Sequence, residues 1–260
     1  MNRLSEKFSQ LKKEKRKALI PYVTPEFPVQ GTTVPLVLAL EKAGAACVEL
    51  GVPFSDPLAD GPTIQQSSGI ALKNGVTVDS IFESVQRIRE KSNIPIILMG
   101  YVNPILFYGM EKFLKTCTRC GVDGLIIPDL PPEESSEFHT LAVQYGISII
   151  YLIAPTSSDE RIRRLDSLST DFTYCVSVTG VTGTRSSFGD HFDEFLQRVK
   201  NNTSKPFVVG FGITNKTQIE RITKTADGVV VGSAFLQSIG TAHSVDEVLQ
   251  SGTKFISTLV

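Results

Sequence analysis

The strongest constraint on how this chain can fold is a rhythm. Eight short apolar, β-branched runs recur along it: Ala18–Val23, Cys47–Leu50, Ile94–Met99, Gly124–Ile127, Ser148–Ile153, Phe172–Val176, Phe207–Val209 and Gly228–Val231. Most are apolar at nearly every position. A strand of that kind has no solvent face, so it fits a parallel sheet with helices over one side and a packed core on the other. The segments between the runs read as amphipathic helices. Val78, Ile81, Phe82, Val85 and Ile88 recur at spacings of three and four, with Arg87, Arg89 and Glu90 on the other face. Ser157 with Glu160, and Ser244 with Glu247, match capping boxes. Pro131 and Pro132, followed by Glu133 and Glu134, suit a helical first turn. Gly44, Gly121 and Gly146 stand between a helix and the next strand, where a left-handed residue stops the helix.

Repeated strand–helix–glycine units predict an α/β fold. Eight of them favour closure into a single (β/α)8 TIM barrel with additional short helices over an open, doubly wound sheet. The 260 residues suit one barrel, and no Pro/Ser-rich linker divides them. One domain spanning residues 1–260 is therefore expected.

Charge excludes some functions. Against 26 basic residues stand 27 acidic ones, a net charge of -1, which gives no electrostatic case for nucleic acid or an acidic membrane. No apolar run approaches the ~20 residues that span a bilayer, and the charged N-terminus lacks a signal-type apolar core. A cytoplasmic location is expected. The basic cluster Lys12, Lys13, Lys15, Arg16 and Lys17 reads as a solvated helix end. Cys47, Cys117, Cys120 and Cys175 are few and scattered, which argues for free thiols. The C-x-x-C pair Cys117 and Cys120 has no second pair to complete a zinc site, so its expected role is structural.

In such barrels chemistry sits at the C-terminal strand ends and the loops that follow. Those positions hold Tyr22 and Thr24 (first run), Glu49 (second), Tyr101 and Asn103 (third), Asp129 (fourth) and Tyr174 (sixth). No lysine stands there for a Schiff base. His139, His191 and His243 are far apart and end no strand, so no metal-ligand set is expected. Gly180 and Gly183, Gly210 and Gly212, and Gly232 with Ser233 offer open backbone N–H groups to an anion. Ser233 opens a short helical segment, Ser233–Ile239, in the region where barrels commonly hold phosphate. Glu49 closes an apolar strand. Burial there disfavours its ionised form and suits it to proton donation near neutral pH. The competing reading is a glutamate paired with a basic group, and Asp56 and Asp60 on their own can be turn residues.

The stretch E-L-G-V-P-F-S-D-P-L-A-D-G-P-T-I-Q, beginning at Glu49, resembles the loop 2 signature of tryptophan synthase α subunits. The resemblance extends through P-Y-V-T from Pro21, M-G-Y-V-N-P-I from Met99 and P-D-L-P-P-E-E from Pro128. It continues in S-V-T-G-V-T-G-T-R from Ser177, G-F-G-I from Gly210 and V-G-S-A from Val231, in the family's order over essentially the whole chain. It implies a lyase that cleaves indole-3-glycerol phosphate to indole and glyceraldehyde 3-phosphate in tryptophan biosynthesis. It further implies Glu49, Asp60 and Tyr174 as catalytic residues and Gly183, Gly212, Gly232 and Ser233 around the phosphate. Tyr22, Ile64, Met99, Tyr101, Thr182 and Phe211 would surround the indole, with tyrosine at 22 where the family commonly has phenylalanine. Asp129 would support the active-site loops. The resemblance implies no cofactor in this chain, and a β subunit carrying pyridoxal phosphate as partner in an α2β2 heterotetramer. Pro53, Asp56 and Pro57 would face that partner. A stand-alone indole-releasing lyase, a non-catalytic phosphate-binding regulatory barrel and another phosphosugar isomerase remain alternatives.

Overall fold

The computed structural model describes residues 2–176, 190–210 and 212–260. Its strands are β1 (Ala18–Val23), β2 (Val48–Gly51), β3 (Ile96–Met99), β4 (Gly124–Ile126), β5 (Ser148–Ile149), β6 (Leu152–Ile153), β7 (Thr173–Val176), β8 (Phe207–Gly210) and β9 (Gly228–Val231). They pair in parallel in the order β5-β4-β3-β2-β1-β9-β8-β7-β6. The two terminal members, β5 and β6, are halves of the fifth expected run. Its first half bonds to β4, where the Ile150 N–H donates to the Leu125 carbonyl at 3.0 Å. Its second half bonds to β7, where the Tyr151 carbonyl accepts from the Tyr174 N–H at 3.2 Å. One segment thus closes the ring, and the sheet is an eight-stave barrel in which β7, β8 and β9 are the sixth, seventh and eighth expected strands.

The helices are α1 (Arg3–Lys13), α2 (Thr33–Lys42), α3 (Pro62–Lys73), α4 (Val78–Arg89), α5 (Val102–Tyr108), α6 (Met110–Cys120), α7 (Ser136–Gln144), α8 (Asp159–Leu168), α9 (Asp190–Asn202), α10 (Lys216–Ile222), α11 (Ser233–Ile239) and α12 (Val245–Ser257). In α4 the expected stripe is buried at Ile81, Phe82, Val85 and Ile88. Gly44, Gly121 and Gly146 take φ of 106°, 89° and 72°, the left-handed geometry that ends a helix before the next strand.

Several local expectations shift. The cap of α8 is Ser158, one residue later than expected, with its side chain accepting from the Arg161 N–H. At α12 Ser244 does cap, but Glu247 reaches the His243 N–H instead of closing a box. Pro131–Glu134 forms a turn, and α7 starts at Ser136. Arg89 is not solvated. Its side chain is 11% exposed and pairs with Asp123 at 2.7 Å.

α1 lies across the N-terminal end of the barrel, placing Leu4, Phe8 and Leu11 against it. The Phe8 ring sits 4.9 Å from that of Phe172. Burying each such side chain is worth about 1.5–3 kcal/mol, enough to hold a short helix that is marginal in isolation. Asn2 caps α1 at the Leu4 N–H and ties it to the Asp123 carbonyl (2.9 Å) and Ser148 Oγ (2.7 Å). The bottom is therefore closed and the opposite, C-terminal end is left for a site. Cys47, Cys117, Cys120 and Cys175 are all buried free thiols. No helix among the described residues is long and apolar enough to cross a membrane.

Candidate active site

β1 and β2 set the first two side chains. Their register pairs Tyr22 with Glu49, so both stand at the same height near the C-terminal end of the barrel. Residue alternation then aims Gly51 to the same side as Glu49. A Cβ on Gly51 would lie 2.0 Å from the Tyr22 hydroxyl, so the missing side chain is what admits the phenol ring. The arrangement repeats across the barrel. A Cβ on Gly210, at the end of β8, would lie 1.8 Å from the Tyr174 hydroxyl. Gly210, read in the sequence as a glycine open to an anion, makes room for Tyr174. Two tyrosines thus lie over two strand-end glycines in the barrel mouth.

Glu49 is 1% exposed, and its Oε2 has no hydrogen-bond partner among the described residues. Burial, reinforced by the charge of Asp60, pushes its carboxyl up to about 8. No arginine or lysine among the described residues offsets that burial. Asp60 is 6% exposed and lies in the loop between β2 and α3. Burial raises it to about 6, against a Tyr101 hydroxyl bond that pulls it down. That hydroxyl donates to Asp60 Oδ2 at 3.0 Å and accepts from the Ala59 N–H at 3.0 Å. Asp60 Oδ1 is buried without a partner among the described residues. The pair is therefore divided, with Glu49 held to its proton more strongly than Asp60. That division suits acid–base work at two atoms of one ligand. Burial also raises Tyr22 and Tyr174 well above the usual phenol range, keeping both neutral.

One narrow cavity gathers most of the expected residues. Tyr22, Glu49, Ile64, Met99, Tyr174, Gly212, Gly232 and Ser233 line it, together with Val230. Gly212 holds a φ of 79° that only glycine adopts without strain. Ser233 opens α11 directly after Gly232. Tyr101 is placed differently. It lines a neighbouring cleft with Phe54, Asp56, Leu58, Asn103 and Asp129, and touches the site through Asp60. Exposed Asp129 accepts the Val102 N–H at the start of α5, at 3.0 Å. Asp56 is exposed as expected, whereas Pro53 and Pro57 are half-buried. Gly180, Thr182, Gly183 and Phe211 lie outside the described residues.

Two functional supports escaped the sequence reading. Ser67 Oγ bonds Thr24 Oγ1 at 2.8 Å, fastening the loop after β1 to α3. Ser68 Oγ accepts the Phe54 N–H at 3.0 Å, fastening the loop that carries Asp60. Both serines are buried on the inward face of α3. The only signal was small polar residues where that face should be apolar.

The tryptophan synthase alpha chain family model matches residues 8–258. A tryptophan synthase alpha chain from Geotalea daltonii is 49% identical over 237 residues, covering 91% of this chain and 90% of its own. That of Pelodictyon phaeoclathratiforme is 45% identical over 262 residues, covering 97% of this chain and 98% of its own. The crystal structure of tryptophan synthase subunit alpha from Legionella pneumophila superimposes with a TM-score of 0.92 at 34% identity, covering 100% of this chain and 97% of its own. A structure of the tryptophan synthase complex from Pyrococcus furiosus gives 0.85 at 37% identity, covering 93% and 97%. A barrel closed this way, with its carboxylates and glycine loops at one mouth and matches of this extent along its whole length, belongs to the tryptophan synthase alpha chain family.

Proposed function

We infer that the chain is a carbon–carbon lyase that cleaves indole-3-glycerol phosphate to indole and glyceraldehyde 3-phosphate, as the α subunit of tryptophan synthase in tryptophan biosynthesis. The whole chain, residues 1–260, serves as one catalytic unit. The observation that carries the reading is Glu49: a buried carboxyl with no cation beside it among the described residues, whose burial favours the protonated form, facing a cavity edged by Gly212, Gly232 and Ser233.

Cleavage of the bond between indole C3 and the glycerol chain requires an electron sink, and the substrate provides it. The Glu49 carboxyl gives its proton to C3, turning the indole into an indolenine. Ionised Asp60 accepts the ring N–H and offsets the positive charge that develops there. The Glu49 carboxylate then takes the proton of the adjacent glycerol hydroxyl. The C–C electrons return to the ring, the hydroxyl carbon becomes an aldehyde, and Glu49 ends as it began. Tyr22, Ile64 and Met99, with Thr182 and Phe211, surround the indole. Gly212, Gly232 and Ser233, with Gly183, hold the phosphate. Tyr174 orients Glu49, Tyr101 holds Asp60, and Asp129 supports the loops.

A β subunit is the partner, in an α2β2 heterotetramer, and the pyridoxal phosphate resides in that subunit. The cleft beside Tyr101 supports this, because Leu58 is 90% exposed at its edge and Phe107 97% exposed on α5. Apolar side chains so exposed mark a surface that another chain covers. The test is indole release from indole-3-glycerol phosphate, with and without a tryptophan synthase β subunit. Glu49→Gln should lower kcat by about 10²–10⁴-fold while substrate binding and the folded spectrum are retained. Near wild-type turnover by folded Glu49→Gln would overturn the assignment. Equal rates with and without the β subunit would leave a stand-alone lyase.

A further inference from the structure

A second, open concavity lies at the other end of the barrel. It lies between the α1–β1 connection and the connection from α9 into β8. Six cations line it: Lys12, Lys15, Arg16, Lys17, Lys200 and Lys205. The carboxylate in the lining is Asp227, whose Oδ2 already accepts the Phe207 N–H at 3.1 Å. In a chain of net charge -1 this is a pronounced concentration of positive charge. The run from Lys12 to Lys17 reads in sequence as a solvated helix end. Folding adds Lys200 and Lys205, remote in the chain, to the same concavity.

Two of these cations are fixed in place. Lys17 Nζ is anchored on the Ala226 carbonyl at 2.7 Å, and Lys205 Nζ on the Asp166 carbonyl at 2.5 Å. Each ammonium keeps donors to spare after one such bond. Lys12 and Lys15 have no hydrogen-bond or ion-pair partner among the described residues, Lys200 has only the Phe207 ring at 5.9 Å, and Arg16 pairs with Glu14 at 3.0 Å. Lys15 sits at a φ of 54°, a strained conformation for a side-chain-bearing residue, in the turn that forms the rim. Cations near the C-termini of α1 and α9 partly answer the helix dipoles. Lys15, Arg16, Lys17 and Lys205 lie beyond those helices and are not needed for that. Phe8, Leu11 and Pro206 form an apolar floor.

We propose that this cavity at the N-terminal end of the barrel binds a multiply charged phosphate anion of the pyrophosphate class, with the apolar floor able to receive an organic moiety attached to it. Several cations converging from two connections favour a ligand that spreads several charges over neighbouring phosphates, as against orthophosphate. The site is separate from the phosphate loops after β8 and β9.

The experiment is calorimetric titration of the full chain with inorganic pyrophosphate and with orthophosphate at physiological ionic strength. It is repeated on Lys12→Gln/Lys15→Gln/Lys200→Gln, on the control Lys73→Gln/Lys91→Gln/Lys254→Gln, and on Ser233→Asp. Pyrophosphate should bind more tightly than orthophosphate. The cavity triple variant should weaken that binding by about tenfold or more, with indole release unchanged, and the control triple and Ser233→Asp should leave it intact. Absence of pyrophosphate binding at that ionic strength would overturn the proposal. So would equal weakening in the control triple, or loss only in Ser233→Asp, which would place the anion at the opposite mouth.

Discussion

The two ends of this barrel bury carboxylates in opposite ways. At the bottom, Asp123 is 3% exposed and fully engaged. It pairs with Arg3 at 2.9 Å and Arg89 at 2.7 Å and accepts the Ile96 N–H at 2.8 Å. Asp166 likewise accepts the backbone and hydroxyl of Ser204, and Asp171 takes the hydroxyls of Ser5 and Ser148. At the top, Glu49 is as deeply buried and, among the described residues, has no cation, while Asp60 has only a phenol there and keeps one oxygen without a partner. Burial raises Asp123 too, but against the Ile96 N–H and two arginines that pull it down. Nothing comparable among the described residues restrains Glu49. The lesson is that burial does not by itself mark a catalytic acid. The mark is burial with the compensating partners left out, because an unpaired buried group costs stability that only another use repays.

That contrast can be broken most forcefully at Asp123. Asp123→Ala strands the Arg89 guanidinium, 11% exposed, without its carboxylate. The loss should be about 3–5 kcal/mol, read by urea unfolding, with the kcat of the remaining folded protein unchanged. A loss under about 1 kcal/mol would mean the bottom network is as dispensable as a surface pair.

A smaller effect should appear at Glu49, with the opposite sign. Its folded value, about 8, lies above the ordinary 4.5. Between those two values the folded chain holds a proton that the unfolded chain has released. Stability therefore falls as pH rises through that window and levels off above about 8. Glu49→Gln removes the titration. Its thermal midpoint should gain on wild type as the pH goes from 5 to 8, by the equivalent of a few kcal/mol. A constant difference between variant and wild type across that range would show that Glu49 is not held protonated.

The smallest effect concerns the one partner the upper pair retains. The Tyr101 hydroxyl lowers Asp60, so Tyr101→Phe should raise it. The acid limb of the kcat/KM profile, set near pH 6 by Asp60, should move upward by about one unit. The alkaline limb near 8, set by Glu49, should stay. A shift of both limbs together would point to general loosening of the loop.

Glu49 was legible because a carboxylate interrupts an apolar run, and the barrel was legible because eight runs recur at regular spacing. Local competition blurred the finer points. The adjacent Ser157 and Ser158 both satisfy a capping pattern, and geometry chose the second. Arg89 looked solvated because helical periodicity describes one helix. Its partner lies on the connection before β4, out of reach of that pattern. The Tyr101–Asp60 bond joins residues 41 apart, and the glycines under Tyr22 and Tyr174 matter only once strand register is fixed. Pairings between elements were the illegible part, and the supports of the site consist of such pairings.

The strand-end glycines also order the routes by which this sequence can change. Any side chain at 51 would need the space that Tyr22 fills, 2.0 Å from its hydroxyl and 2.6 Å from its Cζ. Replacing the tyrosine by phenylalanine removes the first clash and leaves the second. Alanine at 51 therefore requires residue 22 to move or shrink first, and the ring at 22 keeps its present place only over a glycine. The same one-way dependence links Gly210 to Tyr174, where the distances are 1.8 and 2.3 Å. Each aromatic wall of the mouth thus fixes the residue at the strand end beneath it, and a larger pocket on either side starts with the ring, not with the glycine.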